Sequence, residues 1–441
     1  MRPPPVFSLL LSVLALLAAG RGGLAQQPWI ARDYRLPNGL RVLLAPDPLA
    51  PTVAVCVVYR VGSRDETPGQ SGWAHLLEHM AFQGSAHVGR GEHRLLVQGT
   101  GGTFGADTTQ DYTEFYETLP ANQLPLALFL EADRMAGLDM TRPNLDNQRA
   151  VVEAERSEHH SHQAHDVARV ALLRLSYARF AYRHPTIGET ADLDAASLAG
   201  LGAFYHTYYA PNNAVLVVAG RFDPAVTEHG IAGRFGAIPR RPPPPPADVA
   251  EAPPRAERRL ALKDDYSRLQ RCVLSFRVPP ADDPDTEALG LLADVLGRGR
   301  TGRLYRSLVE PRQAVGVSAY VQGRQGPSLF VIAVDLPAGS AYGAAENAVE
   351  AEIARVQASG ITPAELRRAK NWARMDRWEW CQTSVGRAGL LGREAAGDDA
   401  GRVNTFEARL KAVTADTIRQ VARRYLIPRS RVVLSVTPTA Y

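Results

Sequence analysis

Two matching stretches, one closing each half of the chain, constrain the fold more than any other feature of the sequence. The first half ends in "YYAPNNAVLVVAG" and the second in "YLIPRSRVVLSVT". Tyr208 and Pro211 align with Tyr425 and Pro428 at one offset, 217 residues in both cases (425 − 208 and 428 − 211). Repetition at this distance predicts two homologous domains rather than one large body.

A proline run separates the two copies. The segment "PRRPPPPPADVAEAPPR", from Pro239 to Arg255, cannot form a helix or a central strand and favours an extended spacer. We therefore expect an N-terminal domain over residues 26–238, a proline-rich linker over 239–255 and a C-terminal domain over 256–441.

The order of strand and helix patterns predicts the fold class of each copy. In the first half, the strand patterns "YRLPNGLRVLLAP" and "TVAVCVVYRVGS" precede long helical patterns, and the buried strand "NNAVLVVAGRF" closes the half. This order predicts an α+β fold of two homologous domains, each a mixed, mainly antiparallel sheet with helices packed on one face. Within the first half, "GGTFGADTTQDYTEFYETLP" alternates like one extended strand, and one helical pattern covers residues 145–180.

The first residues have the pattern of a secretory signal. An apolar run from Val6 to Ala19 follows one Arg and precedes a small-x-small site at Gly23 to Ala25. We expect a signal peptide over residues 1–25 and a secreted, periplasmic protein, with an uncleaved anchor as the alternative. No later segment is apolar enough to predict a stable membrane span. A formal net charge of +4 without a basic stripe argues against a nucleic-acid partner.

The stretch "GWAHLLEHMAFQGS" places His75, Glu78 and His79 on one side of a leucine-rich helix. At about 100° per residue, the three side chains fall within an arc of about 100°. Two imidazoles one turn apart can ligate a single Zn²⁺, and a carboxylate beside them can reach a water on that metal. A histidine pair satisfied near the surface is the alternative interpretation.

The repeat helps to decide between these interpretations. "HLLEHMAF" aligns with "GLLADVLG" of the second half, so the three polar positions become Gly290, Ala293 and Asp294. A helix that tolerates these residues needs no histidine in order to fold. The polar triplet is therefore predicted to serve chemistry rather than packing.

A zinc site needs a third protein ligand from elsewhere in the chain. In "NLDNQRAVVEAERSEHH", Gln148, Val151, Val152 and Glu155 share one helix face, so Glu155 points towards the core. A carboxylate in that position is costly unless it meets a cation. Glu155, which follows His79 after 75 intervening residues (155 − 79 − 1), is therefore the candidate third ligand.

With these residues assembled, the chain resembles the inverted-zincin peptidases of the pitrilysin and insulinase family. It is most similar to the two-domain bacterial type and to the zinc-bearing subunit of mitochondrial processing peptidase. The resemblance also covers "DNQRAVVEAER", "HPTIGETADL", "YYAPNNAVLVVAGRFD" and "GRGRTGRLYRSLVE". It implies one Zn²⁺ per chain on His75, His79 and Glu155, with Glu78 as general base. Gln148 stands where the family often has a glutamate that orients a ligand by hydrogen bonding.

Two departures from the family pattern concern substrate binding. The family's edge strand usually has the pattern G-G-x-x-N-A-x-T, whereas this chain has "GGTFGADT", so that Gly105 replaces the asparagine. The resemblance implies that Phe104, Gly105 and Ala106 bind a peptide that adds to the sheet as an extra strand. Glycine still offers its backbone N–H and C=O groups to such a peptide.

The second departure lies in the second half, where active family members often carry Arg and Tyr seven residues apart. Here Val309 and Gly316 occupy those places, and Arg312 and Tyr320 are nearby but out of register. Without the pair, a transition-state oxyanion lacks its usual donors. Because family members of this size commonly work as two homologous chains, we expect a heterodimer with a partner subunit that carries the Arg/Tyr pair.

These patterns predict a zinc-dependent endopeptidase that acts on extended peptides or unfolded protein segments. The alternative is a non-catalytic assembly or chaperone-like subunit that keeps the peptidase fold. The missing asparagine and Arg/Tyr pair favour this alternative, and the complete set of His75, Glu78, His79 and Glu155 opposes it.

Overall fold

The structure is a computed structural model that describes residues 29–161, 163–397 and 399–439. The predicted signal peptide, residues 1–25, lies outside the described residues. No helix in the described part of the chain is both long enough and apolar enough to cross a bilayer. Residues 239–255, the predicted linker, form neither helix nor strand.

The first half contains a six-stranded sheet in the order β1-β2-β6-β3-β5-β4. Its strands are β1 (Arg32–Arg35), β2 (Arg41–Pro46), β3 (Thr52–Tyr59), β4 (Thr103–Thr108), β5 (Thr113–Pro120) and β6 (Ala214–Gly220). Only the β2–β6 pair is parallel within this sheet. The central strands "TVAVCVVY" and "AVLVVAG" are apolar throughout because helices cover both of their faces.

The second half contains a five-stranded sheet in the order β7-β11-β8-β10-β9. Its strands are β7 (Arg258–Asp264), β8 (Gln270–Val278), β9 (Gly316–Gln322), β10 (Ser328–Leu336) and β11 (Arg431–Pro438). The β7–β11 pair is parallel, as β2–β6 is, so the second sheet repeats the first without β1. This arrangement confirms the predicted α+β fold and its internal duplication.

Nine helices are described in the first half and six in the second. The first nine are α1 (Trp73–Met80), α2 (Glu92–Gly99), α3 (Leu124–Ala136), α4 (Arg142–Glu155), α5 (Asp166–Ser176), α6 (Phe180–Arg183), α7 (Thr190–Asp194), α8 (Leu198–Tyr208) and α9 (Pro224–Phe235). The others are α10 (Thr286–Gly297), α11 (Tyr342–Ser359), α12 (Pro363–Cys381), α13 (Ser384–Ala396), α14 (Arg402–Ala412) and α15 (Ala415–Tyr425).

Two expectations for the first half were wrong. The predicted single extended strand is a hairpin, because residues 109–112 turn the chain between β4 and β5. The predicted helix over residues 145–180 is interrupted, because α4 ends at Glu155 and a π-helical turn, Arg156–Ser161, follows it. His165, with a left-handed φ of 72°, then begins α5 in a new direction.

The two halves exchange helices. The face of the first sheet that carries Cys56 and Val217 packs against Leu391 and Ala395 of α13, which belongs to the second half. Conversely, α5 of the first half places Leu172 and Leu173 on the outer face of the second sheet. Each sheet thus has its own helices on one face, as predicted, and a helix of the other half on the opposite face, which the prediction did not include.

Candidate active site

The helix α1 is held at its N-terminus by a buried carboxylate. Glu66 accepts hydrogen bonds from the backbone N–H groups of Gly72, at 2.9 Å, and Ala74, at 2.8 Å. His184 Nε2 lies 2.8 Å from the same carboxylate. Burial raises the pKa of Glu66, while these partners favour its charged form. An anion at this end of the helix compensates the unpaired N–H groups and the helix dipole.

The last residue of α4, Glu155, meets the two histidines of α1. Glu155 Oε2 lies 3.7 Å from His75 Nε2 and 3.3 Å from His79 Nε2. One ligand atom from each of the three residues lies within 4.8 Å of the others. Donors around a tetrahedral zinc ion are about 3.4 Å apart, so the geometry fits the metal. Two imidazoles and one carboxylate leave a fourth position for water.

The helix face that carries Glu155 differs in one residue from the predicted face. Gln148 and Val152 are buried, but Val151 is 42% exposed. The buried face therefore includes Gln148 and Val152 but not Val151, and Glu155, at its end, is half-buried with its side chain 32% exposed.

Gln148 lies beside a ligand, as the resemblance implied. Its side chain hydrogen-bonds to His79, and its Nε2 donates to Asn147 Oδ1 at 2.8 Å. Burial lowers the pKa of His79, but hydrogen bonds to Glu155 and Gln148 and the nearby carboxylate charges raise it overall. The amide carbonyl of Gln148 can therefore hold the orientation of the imidazole.

Glu78 lies on α1, between His75 and His79, and its carboxylate contacts a residue of β4. Thr108 Oγ1 donates a hydrogen bond to Glu78 Oε2 at 2.6 Å. Burial raises the pKa of Glu78 to about 7, against the opposing effect of this hydrogen bond. A carboxylate with a pKa near neutrality is suited to take and return a proton. Thr108 is the final residue of the edge-strand pattern, but no sequence feature predicted its contact with Glu78.

The segment predicted to bind the peptide is the edge strand β4, which pairs only with β5. Phe104 packs against Phe82, with ring centroids 5.4 Å apart. Gly105 lies opposite Tyr116, and a Cβ atom at Gly105 would be 2.5 Å from Tyr116 Oη. The asparagine of the family therefore cannot occupy this position unless Tyr116 moves. The backbone edge along Phe104, Gly105 and Ala106 has no partner strand in the described sheet.

A buried polar network lies beneath this strand. Glu117 of β5 accepts from Arg134 Nη2 at 3.0 Å and lies 2.9 Å from His93 Nε2. Arg134 also contacts Glu131 and lies over the ring of Phe82 at 4.9 Å. Burial lowers the pKa of His93 to about 4. The network connects β5 to α2 and α3, so it fixes the wall of the site, and nothing in the sequence pattern marked these residues.

The residues considered for an Arg/Tyr pair lie in the second half. Val309 ends a π-helical turn, and Gly316 begins β9. Arg312 occupies a turn with a φ of 63°, and Tyr320 is 48% exposed on β9. The structure therefore places Arg312 in a turn and Tyr320 on a strand.

Family comparisons agree with the fold. The family description "Insulinase (Peptidase family M16)" matches residues 41–190, and "Peptidase M16 inactive domain" matches residues 196–372. The chain belongs to the M16 (insulinase) family of peptidases. This result confirms the resemblance, and the second description agrees with the absence of the triplet from the second copy.

The chain is similar to bacterial proteins named as zinc proteases. It is 25% identical to zinc protease PqqE of Helicobacter pylori over 394 residues, which cover 88% of this chain and 89% of that protein. It is also 25% identical to an uncharacterized zinc protease of Streptomyces coelicolor over 409 residues, 90% of this chain and 87% of that protein.

Solved structures show the same fold. A protease from Helicobacter pylori superposes with a TM-score of 0.88 at 24% identity, over 92% of this chain and 99% of that chain. The first half of the periplasmic protease PqqL from Escherichia coli superposes with a TM-score of 0.74 at 18% identity, over 92% and 91%.

Proposed function

We propose that this protein is a zinc-dependent endopeptidase that hydrolyses peptide bonds in extended peptides or unfolded protein segments. The observation that carries the proposal is the convergence of His75, His79 and Glu155 within 4.8 Å beside Glu78. The names of the zinc-protease relatives support the same metal and the same class of reaction.

In this mechanism the protein's residues bind, orient and move protons. A zinc ion held by His75, His79 and Glu155 supplies Lewis acidity and lowers the pKa of a bound water. Glu78 takes the proton from the attacking water and returns it to the amine of the leaving peptide. Thr108 holds the Glu78 carboxylate in place through its hydrogen bond of 2.6 Å.

The substrate binds in this proposal as an additional strand along β4. The strand's outer edge offers the backbone N–H and C=O groups of alternate residues within Phe104, Gly105 and Ala106, which pair with any extended peptide regardless of its sequence. A folded protein has few free strands to offer, so extended and unfolded segments are the natural substrates.

Location and assembly are part of the proposal. We infer a secreted, periplasmic protein from the signal pattern in residues 1–25, and the periplasmic relative PqqL supports this location. We infer a heterodimer because the usual Arg/Tyr positions hold Val309 and Gly316. A homologous partner subunit would then supply donors to the oxyanion.

The second candidate is a non-catalytic, chaperone-like subunit that binds extended chains without cleaving them. Gly105, whose Cα is covered by Tyr116, favours it, because the family's asparagine amide is missing there. A peptide would still bind along β4, but turnover would be absent.

One experiment separates the two candidates. Zinc content and cleavage of a quenched unfolded peptide are measured for wild type, Glu78→Gln and the surface control Glu407→Gln, each co-expressed with a homologous partner. An endopeptidase retains zinc in Glu78→Gln and loses turnover by about 10³-fold or more, while Glu407→Gln matches wild type. Zinc-loaded wild type that binds the peptide without cleaving it would support the chaperone-like subunit.

A further inference from the structure

A cavity of about 780 Å³ lies on the face of the first sheet that faces away from the zinc ligands. It is open to solvent and lies between the hairpin β4–β5 on one side and α13 with the C-terminal end of α12 on the other. Its charged and aromatic lining consists of Asp107, Tyr112, Glu114, Tyr116, Glu379, Trp380 and Arg393.

The cavity opens beside the edge strand that binds the peptide. Side chains of a strand alternate between its two faces. Thr108 faces α1 and bonds to Glu78, whereas its neighbour Asp107 faces the cavity. A peptide that adds to β4 alternates in the same way. A side chain on the cavity face therefore belongs to a residue within about two positions of the bond beside Glu78.

The lining carries a net negative charge. Asp107, Glu114 and Glu379 contribute three carboxylates, and Arg393 contributes one guanidinium, which leaves a formal charge of −2 (1 − 3). Arg393 Nη1 is already engaged by Glu114, at 2.8 Å and 3.1 Å. Within the described residues, Asp107 forms no hydrogen bond or salt bridge, and Arg393 is the positive charge that acts on it.

The equivalent cavity of the second half shows which of these properties the fold requires. It has a volume of about 310 Å³ and is lined by α5 and by Val273, Val331 and Ala333. These residues correspond to Cys56, Glu114 and Tyr116 of the first cavity at the same offset of 217 (273 − 56, 331 − 114 and 333 − 116).

The charge of the second cavity has the opposite sign. Its lining includes Asp166, Arg169 and Arg271, a formal charge of +1 with histidine neutral (2 − 1). The exchanged helices therefore form a cavity in each half, and of these two cavities only that of the first half, whose opposite sheet face carries the candidate zinc ligands, has an acidic lining. As with the polar triplet of α1, a property that the fold does not require is present only in the first copy.

We propose that the 780 Å³ cavity is a specificity subsite that accepts a Lys or Arg side chain of the substrate, with Asp107 as its ion-pairing residue. Tyr116 and Trp380 form walls along which the aliphatic part of a long basic side chain packs. The proposal rests on the proposed peptidase function, because it assumes that a peptide lies along β4.

The test is a positional scan with quenched peptides in which one residue is Lys, Arg, Gln or Glu. For the zinc-loaded protein with its partner, we expect kcat/KM to be about threefold to tenfold higher for Lys or Arg, within two positions of the cleaved bond. Asp107→Asn should reduce this ratio towards one, and Asp107→Lys should invert it in favour of Glu. The exposed control Asp146→Asn, on α4, should keep the wild-type ratio.

Measuring peptide binding to the zinc-loaded Glu78→Gln protein tests the subsite separately from the peptidase activity. Fluorescence anisotropy with the Lys and Gln peptides measures the same preference without cleavage. If no peptide is cleaved but the Lys peptide binds more tightly and Asp107→Asn removes the difference, the subsite stands and the peptidase function fails. Equal kcat/KM and equal Kd for Lys and Gln peptides in wild type would overturn the subsite.

Discussion

The two halves of the molecule share a fold and differ in chemistry. In the first half, α1 presents His75, Glu78 and His79 to Glu155, whereas in the second half α10 carries Gly290, Ala293 and Asp294 at the aligned positions. The apolar residues are shared: Leu76 and Leu77 are as fully buried as Leu291 and Leu292. Packing therefore fixes the leucines of this helix, while the polar positions are free to acquire or lack a function.

Asp294, which aligns with His79, forms an ion pair at a position where the second half has no metal-ligand pattern. Burial raises its pKa to about 6, and Arg298 lies 3.5 Å away as a counter-charge. In the first half, the aligned residue His79 meets Glu155 instead. The same place in the fold is thus a local ion pair in one copy and a ligand cluster in the other.

The largest expected effect on activity comes from giving α1 the residues that α10 carries at the three aligned polar positions. The triple change His75→Gly, Glu78→Ala and His79→Asp should remove zinc and reduce kcat/KM by about 10³-fold or more, since ligands and base are lost together. Because α10 folds with these residues, the protein should still fold. Metal analysis, peptide cleavage and circular dichroism check this. Loss of the folded state would show that the triplet is needed for packing, against the comparison.

The exchanged helices should contribute equally to the stability of both halves. Leu391→Ala in α13 and Leu173→Ala in α5 each remove a buried side chain and should each cost about 2–5 kcal/mol of unfolding free energy. Urea denaturation followed by tryptophan fluorescence and circular dichroism checks this. We expect one shared transition for the two halves; two separate transitions with only one shifted by each change would contradict the exchange.

A smaller effect should follow from the hydrogen bond that holds Glu78. Thr108→Val keeps the shape of the side chain but removes the donor, and should reduce kcat/KM by about tenfold. Zinc content should not change, since the hydrogen bonds described for Thr108 go to Glu78 and Thr113 and not to a predicted zinc ligand. The matched control is Thr103→Val, at the other end of β4. Equal loss of activity in both variants would point to damage to the strand rather than to the carboxylate.

The smallest effect concerns helix capping and its pH dependence. α4 and α12 both begin after a threonine cap, Thr141 and Thr362, but only Thr362 is paired with a carboxylate, Glu365, in a capping box. Arg303 and Thr362 outweigh burial and lower the pKa of Glu365 to about 2. Its contribution to stability is therefore complete above its ordinary pKa near 4.5 and is lost as the pH falls from there towards 2.

The variant Glu365→Gln tests this contribution. It should lower the midpoint of thermal unfolding by about one degree at pH 7 and by less at pH 3, which corresponds to a loss of about 0.5–1 kcal/mol after solvent screening. A loss that is equal at both pH values would show that the charge of Glu365 does not matter.

Local patterns predicted most of the fold. The apolar strands, the leucine-rich α1 and the duplication follow from periodicity and repetition, and the structure confirms the fold class. The ligand set was also accessible, because His75 and His79 share a turn and Glu155 lies on a buried helix face. Each of these features depends on residues that are close in sequence or are repeated at one offset.

The features that were missed depend on contacts between distant residues. The helix is interrupted after Glu155 because α5 packs against the sheet of the second half. Local sequence patterns do not predict a contact with so distant a part of the chain. Val151 is exposed because only one face of α4 packs against the rest of the protein, and Val151 lies outside that face. Thr108 and Tyr116 acquire their roles from the register of β4 with β5 and α1, which the sequence does not specify.

Because α5 and α13 are exchanged, each half covers an apolar sheet face of the other half. Either half, synthesised alone, would leave the outer face of its sheet uncovered, with Val217 and Cys56 or Leu434 and Val331 in contact with water. A cut within residues 239–255 would consequently yield two fragments that remain bound to each other. Fragments produced separately would reach the native state only when they are combined.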